Sequence, residues 1–271
     1  MNTVVVGAVD GYTWNQCELW WKSLKITGFK GEITLLAYNL NDKTYAEMIK
    51  RNINVIKREP GKHAQVVVNR FQDYAWFANT FSEDTWIVCT DVSDIAFQKN
   101  PEEFLWTEDG VDQEIVVASE GIFFKGNRWV RENLFSSFPS QYDRMENEIL
   151  YNAGSFAARS GVLTKLALEV FAMCMKVPEA RNHDQAAFNI LLRDPHYGKR
   201  TLFTNSNDEW CFCGASSIFA KPEDANNYME ELPMIEDGLC YVLGHRLTTM
   251  FHHYSRDPNI AREVRKRILG T

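Results

Sequence analysis

Two kinds of hydrophobic pattern alternate through the first hundred residues of the chain. Short runs rich in β-branched residues predict strands over residues 3–9, 32–38, 54–57 and 86–89. Between them, apolar residues recur at helical spacing and predict helices over residues 15–25, 42–51 and 65–81. Asp42 is the expected N-cap of the second helix. This alternation predicts an α/β protein with a Rossmann-like, mixed but mostly parallel sheet flanked by helices.

The second half of the chain is less regular. Its hydrophobic runs predict strands over residues 114–119, 151–159, 201–204 and 239–243. Helical spacing predicts helices over residues 127–138, 161–176, 184–192 and 258–268. The sequence contains no internal repeat, low-complexity tract or linker, and its 271 residues are 45% hydrophobic. We therefore expect one α/β domain over residues 1–271.

The central predicted strand ends in a pair of carboxylates. The apolar run over residues 86–89 is followed by Thr90, Asp91, Val92, Ser93 and Asp94, and hydrophobic residues resume immediately afterwards. Unpaired charges are costly in a core, so both carboxylates are expected at the strand's carboxyl edge, where open α/β sheets bind ligands. There they could converge on a divalent cation that also binds phosphate oxygens. The alternative is a strand followed by an Asp/Ser turn.

Composition narrows the classes of ligand. The net charge is −7 with a pI near 5.5, which argues against a nucleic-acid-binding protein. An acidic protein can still bind an anionic nucleotide through a metal ion and a few basic side chains. Aromatic residues make up 13% of the chain and include eight tryptophans. This surplus suits stacking on sugars or bases as well as a core.

The cysteine pattern and the targeting signals bear on the cellular compartment of the protein. Cys211 and Cys213 have C-x-C spacing without a second pair at zinc-finger distance, so zinc is a weak interpretation of the six cysteines. A reduced intracellular protein fits better. The sequence lacks a signal-peptide pattern and a membrane-spanning apolar run. We expect a cytoplasmic protein.

Three further polar groups follow hydrophobic segments. Asn152-Ala153-Gly154 combines an amide with a glycine that permits close approach of a ligand, although a turn alone explains it. Asp184 and Gln185 open an apolar helix, as helix caps or as ligand contacts. Residues 251–256 read Phe-His-His-Tyr-Ser-Arg, where imidazole suits a metal and Arg suits phosphate.

Taken in order along the chain, these motifs resemble the GT-A family of metal-dependent, nucleotide-sugar glycosyltransferases. The D-x-x-D pair resembles the D-x-D-type metal motif of that family. The stretch over residues 251–256 resembles a C-terminal H-Q-Y-D-R pattern of some members, including small glycosyltransferases encoded by large DNA viruses, whose compartment would be the host cytoplasm. It departs from that pattern at His253 and Ser255. The resemblance covers almost the whole chain.

The resemblance implies a metal site and divides the chain by role. Asp91, Asp94 and His252 would bind Mn²⁺ or Mg²⁺, with His245 and His253 as alternatives to His252. Residues 1–101 would form a nucleotide-binding half and residues 102–271 a half that binds the acceptor and completes the metal site. Replacement of His252 by alanine would then slow turnover with little effect on the melting temperature of the metal-free protein.

The resemblance also implies a donor and acceptor site for glycan biosynthesis. The donor would be a UDP-sugar carrying glucose, xylose or galactose, and the acceptor a hydroxyl of an oligosaccharide or glycan. Asp184 or Glu120 would act as general base in an inverting reaction, whereas a retaining enzyme could use the leaving phosphate, and the sequence does not choose between them. The residues that would contact the nucleotide, the diphosphate or the sugars are Ala8, Val9, Asp10, Tyr12, Arg70, Asp91, Asn152, Gly154, Gln185 and Arg256.

Two other classes of protein remain as alternatives. A sugar-nucleotide nucleotidyltransferase also binds metal and nucleotide on a Rossmann-like sheet, but it needs a basic, glycine-rich phosphate loop. The loop after the first predicted strand, residues 8–12, contains neither Lys nor Arg. A non-catalytic carbohydrate-binding protein with a degenerate site would have lost some of the acidic, amide and histidine positions, and all are present here.

Overall fold

The structure of the chain is a computed structural model that describes residues 2–59, 61, 65–106, 112–177, 179–180, 182–214 and 232–271. The strands in the described ranges are β1 (Thr3–Asp10), β2 (Glu32–Tyr38), β3 (Asn54–Arg58), β4 (Trp86–Thr90), β5 (Ile95–Phe97), β6 (Ile115–Phe123), β7 (Ile149–Tyr151), β8 (Ser155–Arg159), β9 (Thr201–Thr204), β10 (Cys211–Cys213), β11 (Met234–Glu236), β12 (Leu239–Val242), β13 (Arg246–Leu247) and β14 (Met250–His252). The α-helices in the same ranges are α1 (Trp14–Ile26), α2 (Asp42–Ile49), α3 (Val66–Ala78), α4 (Pro101–Leu105), α5 (Arg128–Ser137), α6 (Tyr142–Met145), α7 (Ser160–Cys174), α8 (Asp184–Leu192), α9 (Pro195–Gly198) and α10 (Pro258–Leu269).

The central sheet contains eight strands in the order β3-β2-β1-β4-β8-β6-β7, with β9 paired to β6. Strands β3, β2, β1 and β4 are mutually parallel, and β6 and β9 run in the same direction because β8 is antiparallel to both β4 and β6. Only β7 and β8 run the other way among the strands of this sheet that the structure describes. The mixed, mostly parallel α/β architecture predicted from the sequence is therefore confirmed.

The two faces of the sheet bury alternate residues of the same strands. Val4 and Val6 face a core shared with α3 and α7, whereas Val5 faces a second core shared with α1. In β4, Ile87 faces the first core and Val88 the second. This alternation is the period of two that a strand imposes on its side chains, and burial on both faces explains why these strands read as continuous hydrophobic runs.

A small second sheet, β10-β14-β5, connects the end of the chain to its centre. Strand β14 pairs in parallel with β10 and antiparallel with β5, with His252 opposite Ile95. The backbone N–H of His253 also donates to the carbonyl oxygen of Asp94 at 2.9 Å. The C-terminal histidines are thus fixed beside the D-x-x-D turn by strand pairing. Strands β11, β12 and β13 form a third, antiparallel sheet.

Local details differ from the sequence prediction in several places. The N-cap of α2 is Asn41, not Asp42, because the Asn41 side chain accepts the N–H of Thr44. The single strand predicted over residues 151–159 is two strands separated by residues 152–154, and β5 leaves the central sheet for the small one. Strand β6 continues past Glu120 to Phe123, since Gly121 adopts a positive φ of 71° where the β6–β7 register shifts.

None of the helices in the described ranges combines the length and hydrophobicity that a membrane span requires.

Candidate active site

Acidic residues from three strands meet at one edge of the central sheet. Asp10 ends β1, Asp91 directly follows β4, and Glu120 lies in the last part of β6. These three strands are parallel, so their carboxyl ends lie at the same edge. This is the edge at which the sequence predicted a ligand site.

Asp91 is held against the turn between β7 and β8. Its backbone N–H donates to the carbonyl oxygen of Gly154 at 2.7 Å. A Cβ atom at position 154 would lie 2.2 Å from Oδ2 of Asp91, much closer than a Cβ atom approaches any non-bonded atom in real proteins. Glycine at this position therefore lets the turn approach the carboxylate.

Arg70 forms ion pairs with both Asp91 and Asp184. The guanidinium is almost fully buried and donates to a carboxylate oxygen of Asp91, to Oδ2 of Asp184 at 3.0 Å and to the carbonyl oxygen of Val67 at 3.1 Å. The sequence predicted that Arg70 faces the nucleotide or diphosphate. In the structure it donates to protein oxygens, among them carboxylate oxygens of Asp91 and Asp184, and its contact with a nucleotide or diphosphate stays a prediction.

The two carboxylates bound by Arg70 differ in acidity. Burial opposes ionisation of Asp91, but the charges of Arg70 and His252 outweigh it and hold the pKa of Asp91 well below its usual range. At Asp184 burial dominates and raises the pKa, although Arg70 works against it. Asp91 is thus a permanent anion, whereas Asp184 is the more basic carboxylate.

Beside Asp91 lies a cluster of two histidines and one further carboxylate. Nε2 of His252 is 3.5 Å from Oδ2 of Asp91 and 3.5 Å from Oδ1 of Asp94. Asp94, His252 and His253 each offer a ligand-type atom, and these atoms lie within 4.8 Å of one another. The two imidazole rings stack with centroids 3.6 Å apart. Among the described residues, Asp94, His252 and His253 are the group of three ligand-type side chains that could hold a metal ion.

The histidines of the cluster are buried and electrostatically distinct. Burial alone would lower the pKa of His252, but Asp94 and Asp91 raise it well above its ordinary value. Burial and the neighbouring His252 lower the pKa of His253 to about 3, so its ring is neutral at ordinary pH. His252 is fully buried, and its Nε2 has no hydrogen-bond partner among the described residues.

A chain of contacts links His252 to the amide residues of the site. Sγ of Cys213 lies 3.9 Å from Nδ1 of His252 and 3.3 Å from Oγ of Ser155. Ser155 donates to Oδ1 of Asn152 at 3.0 Å, and the same oxygen accepts the N–H of Gly154 at 2.7 Å. The Asn152 carbonyl oxygen therefore faces the backbone, and its amide nitrogen faces the cleft.

Glu120 receives two side-chain amides. Asn152 and Gln185 each donate an N–H to Oε1 of Glu120 at 2.9 Å. Oε1 of Gln185 in turn accepts the N–H of Ala153 at 3.2 Å. Both amides are held at each end, so their orientation is determined by the fold.

The site residues line two joined cavities. One, of about 570 Å³, is lined by residues that include Asp91, Glu120, Asn152, Asp184, Gln185, His253 and Arg256. The other, of about 300 Å³, is lined by residues that include Ala8, Asp10 and Tyr12. Val67, Arg70, Asp91 and Asn182 line both. We refer to them as the inner cavity and the outer cavity.

The structure brings most of the predicted site residues together. Asp94, Gly154 and His252 do not line either cavity but contact residues that do. Val9 packs its side chain into the second core, so only its backbone can reach a ligand. His245 is exposed in the turn Leu243–His245 and does not belong to the metal-type cluster of the described residues.

Sequence reasoning missed several lining residues. The inner cavity is also lined by Asn127 and Trp129, and both cavities by Val67 and Asn182. Asn182 adopts a positive φ of 51° directly before the His-Asp-Gln segment, but nothing in the sequence marks that conformation. The surplus of aromatic residues indicated stacking surfaces, though not which tryptophan supplies one.

Comparison with known proteins defines the fold. No family model and no curated protein sequence matches the chain. Among solved structures, the galactosyltransferase LgtC in complex with donor and acceptor sugar analogs matches with a TM-score of 0.56 and 12% identity, over 96% of this chain and 95% of that one. An active-site mutant of LgtC matches with a TM-score of 0.59 and 12% identity, over 98% and 95% of the two chains. The glycosyltransferase GlyE of Streptococcus pneumoniae matches with a TM-score of 0.49 and 16% identity, over 76% of this chain and 46% of that one.

At such low identity the likeness to LgtC establishes the fold and no more. The architecture is the GT-A one, as the sequence motifs predicted, and the solved structures that share it include glycosyltransferases.

Proposed function

We propose that the chain is a glycosyltransferase that moves a sugar of the glucose, xylose or galactose class from a UDP-sugar to a hydroxyl of a glycan acceptor, with a divalent metal on the diphosphate. The observation that carries the proposal is the metal-type cluster of Asp94, His252 and His253, placed beside Asp91 where the two cavities meet. A nucleotide in one cavity and a sugar in the other would have their shared diphosphate at this point.

The residues of the cluster fit Mn²⁺ or Mg²⁺ in chemical type. Asp91, Asp94 and His252 offer oxygen and nitrogen atoms, and the buried Nε2 of His252 lacks a hydrogen-bond partner among the described residues. We therefore assign these three residues as ligands, with His253 as the alternative to His252. A divalent cation bound there would neutralise the charge of the diphosphate leaving group as a Lewis acid.

The remaining residues divide between donor and acceptor. Ala8, Asp10, Tyr12 and the Val9 backbone, in the nucleotide-binding half over residues 1–101, would hold the base and ribose. Arg256 lines the inner cavity and would contact phosphate. Asn152, Gly154 and Gln185, in the half over residues 102–271, would surround the sugar. LgtC, which shares the fold, has been solved in complex with donor and acceptor sugar analogs.

The proposed transfer balances with groups of the chain. The acceptor oxygen bonds to the anomeric carbon of the donor sugar, and the bond from that carbon to the diphosphate oxygen breaks. In an inverting reaction, the hydroxyl proton passes to Asp184 or Glu120. Asp184 is the better base of the two, because burial raises its pKa while Glu120 is already bound by two amides. In a retaining reaction, the released phosphate takes the proton.

The test is hydrolysis of donor sugars in the absence of an acceptor. Purified protein is incubated with a panel of UDP-sugars and Mn²⁺, and release of UDP is measured. We expect slow hydrolysis of one or a few donors, abolished by a chelator and by Asp94→Ala. Turnover that survives both the chelator and Asp94→Ala would exclude the metal role, and release of pyrophosphate from sugar phosphate and UTP would indicate a nucleotidyltransferase instead.

A further inference from the structure

Trp129 is an exposed tryptophan on the wall of the inner cavity. It lies in the first turn of α5, and 54% of its surface is accessible. Three other tryptophans, Trp20, Trp86 and Trp210, are fully buried. The other strongly exposed one, Trp76, stacks on the guanidinium of Arg58 at 4.8 Å. Trp129 thus presents its indole to the cavity without a ring or cation contact among the described residues.

The backbone that carries Trp129 is firmly fixed. Asn127 caps α5, and its Oδ1 accepts the N–H of Val130 at 3.2 Å. Val130 and Leu134 anchor the helix in a third hydrophobic core. An exposed indole forgoes the favourable free energy of burying its apolar surface until a ligand covers it. Because the helix already holds the backbone in place, ligand binding costs little further conformational entropy.

The groups across the cavity are hydrogen-bonding ones. Glu120, Asn152, Asp184 and Gln185 line the same space as Trp129. A pyranose ring has hydroxyls at its edge and a face of C–H groups, so it matches an apolar wall on one side and carboxylates and amides on the other. Small-molecule sites usually combine apolar or aromatic walls with a small number of precisely placed polar groups.

The position of Trp129 assigns it to the acceptor. The outer cavity leads to Asp10 and Tyr12, and Trp129 does not line it. Within the inner cavity, the junction with the outer one is formed by Val67, Arg70, Asp91 and Asn182. Trp129 therefore lies on a part of the inner cavity's wall that the outer cavity does not share, and not at the junction proposed for the diphosphate.

We infer that Trp129 is the stacking platform of an acceptor subsite, and that the acceptor hydroxyl belongs to a pyranose whose C–H face lies on the indole. This inference rests on the proposed function and adds the class of acceptor to it. It excludes acceptors that have no ring face at the reacting end, such as the hydroxyl of a serine or threonine side chain in a peptide.

The experiment separates hydrolysis of the donor from transfer to an acceptor. Methyl pyranosides of galactose, glucose and xylose, and a threonine-containing peptide, serve as acceptors. Trp129→Ala and Trp129→Phe are compared with the control Trp76→Ala, a tryptophan of similar exposure that lines neither cavity. Melting temperatures confirm that all three variants fold.

The expected result is a change that falls mainly on the acceptor. Trp129→Ala raises the acceptor KM about tenfold, the scale of one lost aromatic contact, and changes donor hydrolysis by a smaller factor. Trp129→Phe restores part of the loss, and Trp76→Ala changes neither rate.

Two results would overturn the inference while leaving the proposed function intact. One is donor hydrolysis without transfer to any methyl pyranoside, and the other is transfer with the same acceptor KM in Trp129→Ala. Absence of hydrolysis for every donor, with Mn²⁺ present, would instead refute the proposed function itself, and this inference with it.

Discussion

Glu120 holds two amides by one oxygen. Oε1 accepts the N–H groups of Asn152 and Gln185, and the carbonyl oxygens of both amides are occupied by backbone N–H groups. A carboxylate so placed orients its neighbours, whereas the sequence offered it only as a second candidate base. Orienting the two amides requires only an oxygen that accepts hydrogen bonds, with or without a negative charge. Acting as the general base requires a carboxylate that can gain a proton.

We expect Glu120→Gln to retain most of the turnover and Glu120→Ala to lose it. Glutamine keeps an acceptor oxygen for the two amides, whereas alanine leaves them unpaired, at a cost of about 1–3 kcal/mol for each buried polar group. Turnover and KM measured with saturating donor distinguish the cases. A loss of turnover in Glu120→Gln as deep as in Glu120→Ala would instead identify Glu120 as the base.

Asp184 is the other candidate for the general base, and its replacement gives the complementary test. Asp184→Asn keeps the side-chain shape at the start of α8 and removes the basic carboxylate. We expect turnover to fall by about 10²–10⁴-fold if Asp184 is the general base of an inverting reaction. Near-normal turnover, with a stereochemical product analysis by NMR showing retention, would show that Asp184 is a structural partner of Arg70.

The burial of His252 changes what its replacement should do. From the sequence, we expected little effect of His252→Ala on the metal-free melting temperature. The side chain is fully buried between Asp91, Asp94 and Cys213. Its removal leaves a cavity and deprives two carboxylates of a neighbouring positive charge.

We therefore expect His252→Ala to lower the metal-free melting temperature as well as to abolish the rise that Mn²⁺ produces. A ligand that binds only the folded state raises its stability by RT ln(1 + [L]/Kd), so a loss of that rise reports a loss of metal affinity. Differential scanning fluorimetry with and without Mn²⁺ measures both effects. His245→Ala, at an exposed position, should leave both unchanged. An undiminished Mn²⁺ shift in His252→Ala would assign the ligand to His253.

At the scale of elements, the sequence predicts what depends on periodicity. Helix α8 and the strands β2 and β9 have the predicted bounds, because hydrophobic runs and helical spacing define them locally. The division of residues 151–159 into β7 and β8 depends on contacts with Asp91 and β6, which lie far away in the sequence. The position of β5 depends likewise on β14. Such pairings leave no local signal.

Some features of the candidate site can likewise be predicted from the sequence, and others cannot. Its residue types, Asp91, Asp94, Asp184 and His252, stand out because carboxylates and imidazoles there border hydrophobic runs. Their partners do not, since the bond from Arg70 to Asp184 and the approach of Gly154 to Asp91 arise from packing. The sequence therefore predicts the chemistry better than the network that orients it.

The turn between β7 and β8 offers a test of this network. We expect Gly154→Ala to destabilise the protein and to reduce turnover more than stability alone explains, because the added Cβ would meet the Asp91 carboxylate. Chemical denaturation and turnover at saturating Mn²⁺ measure the two effects. The control is Gly28→Ala, where a Cβ would meet nothing within 4 Å and only the positive φ of 84° is strained. Equal stability loss in both, with full turnover in Gly154→Ala, would contradict the close approach.

At the scale of the whole molecule, the thiols are protected. None of the six cysteines forms a disulfide, and all six are buried. Burial raises the pKa of each of Cys17, Cys89, Cys174 and Cys240, that of Cys17 to about 12, so these thiols stay protonated and weakly nucleophilic. Neither Cys211 nor Cys213 belongs to the metal-type cluster of the described residues, so the structure adds no support to a zinc site there.

We expect the native protein to react with a chromogenic disulfide reagent at pH 8 only as fast as it unfolds, and the protein in guanidinium chloride to release all six thiols at once. The time course of absorbance measures both. Addition of Mn²⁺ should slow the native reaction further, because it stabilises the folded state. A burst from one thiol in the native protein would reveal a cysteine that the solvent reaches.

The pairing of β14 with β5 determines how the chain tolerates changes of length. His252 faces Asp91 and Asp94 only in the register that sets it opposite Ile95. Loss or gain of a single residue within β14 would turn neighbouring side chains toward the carboxylates and His252 away from them. The same change in the exposed turn over residues 243–245 lies outside the paired strands. Insertions and deletions should therefore be tolerated a few positions before the histidines and eliminate metal binding when they fall among them.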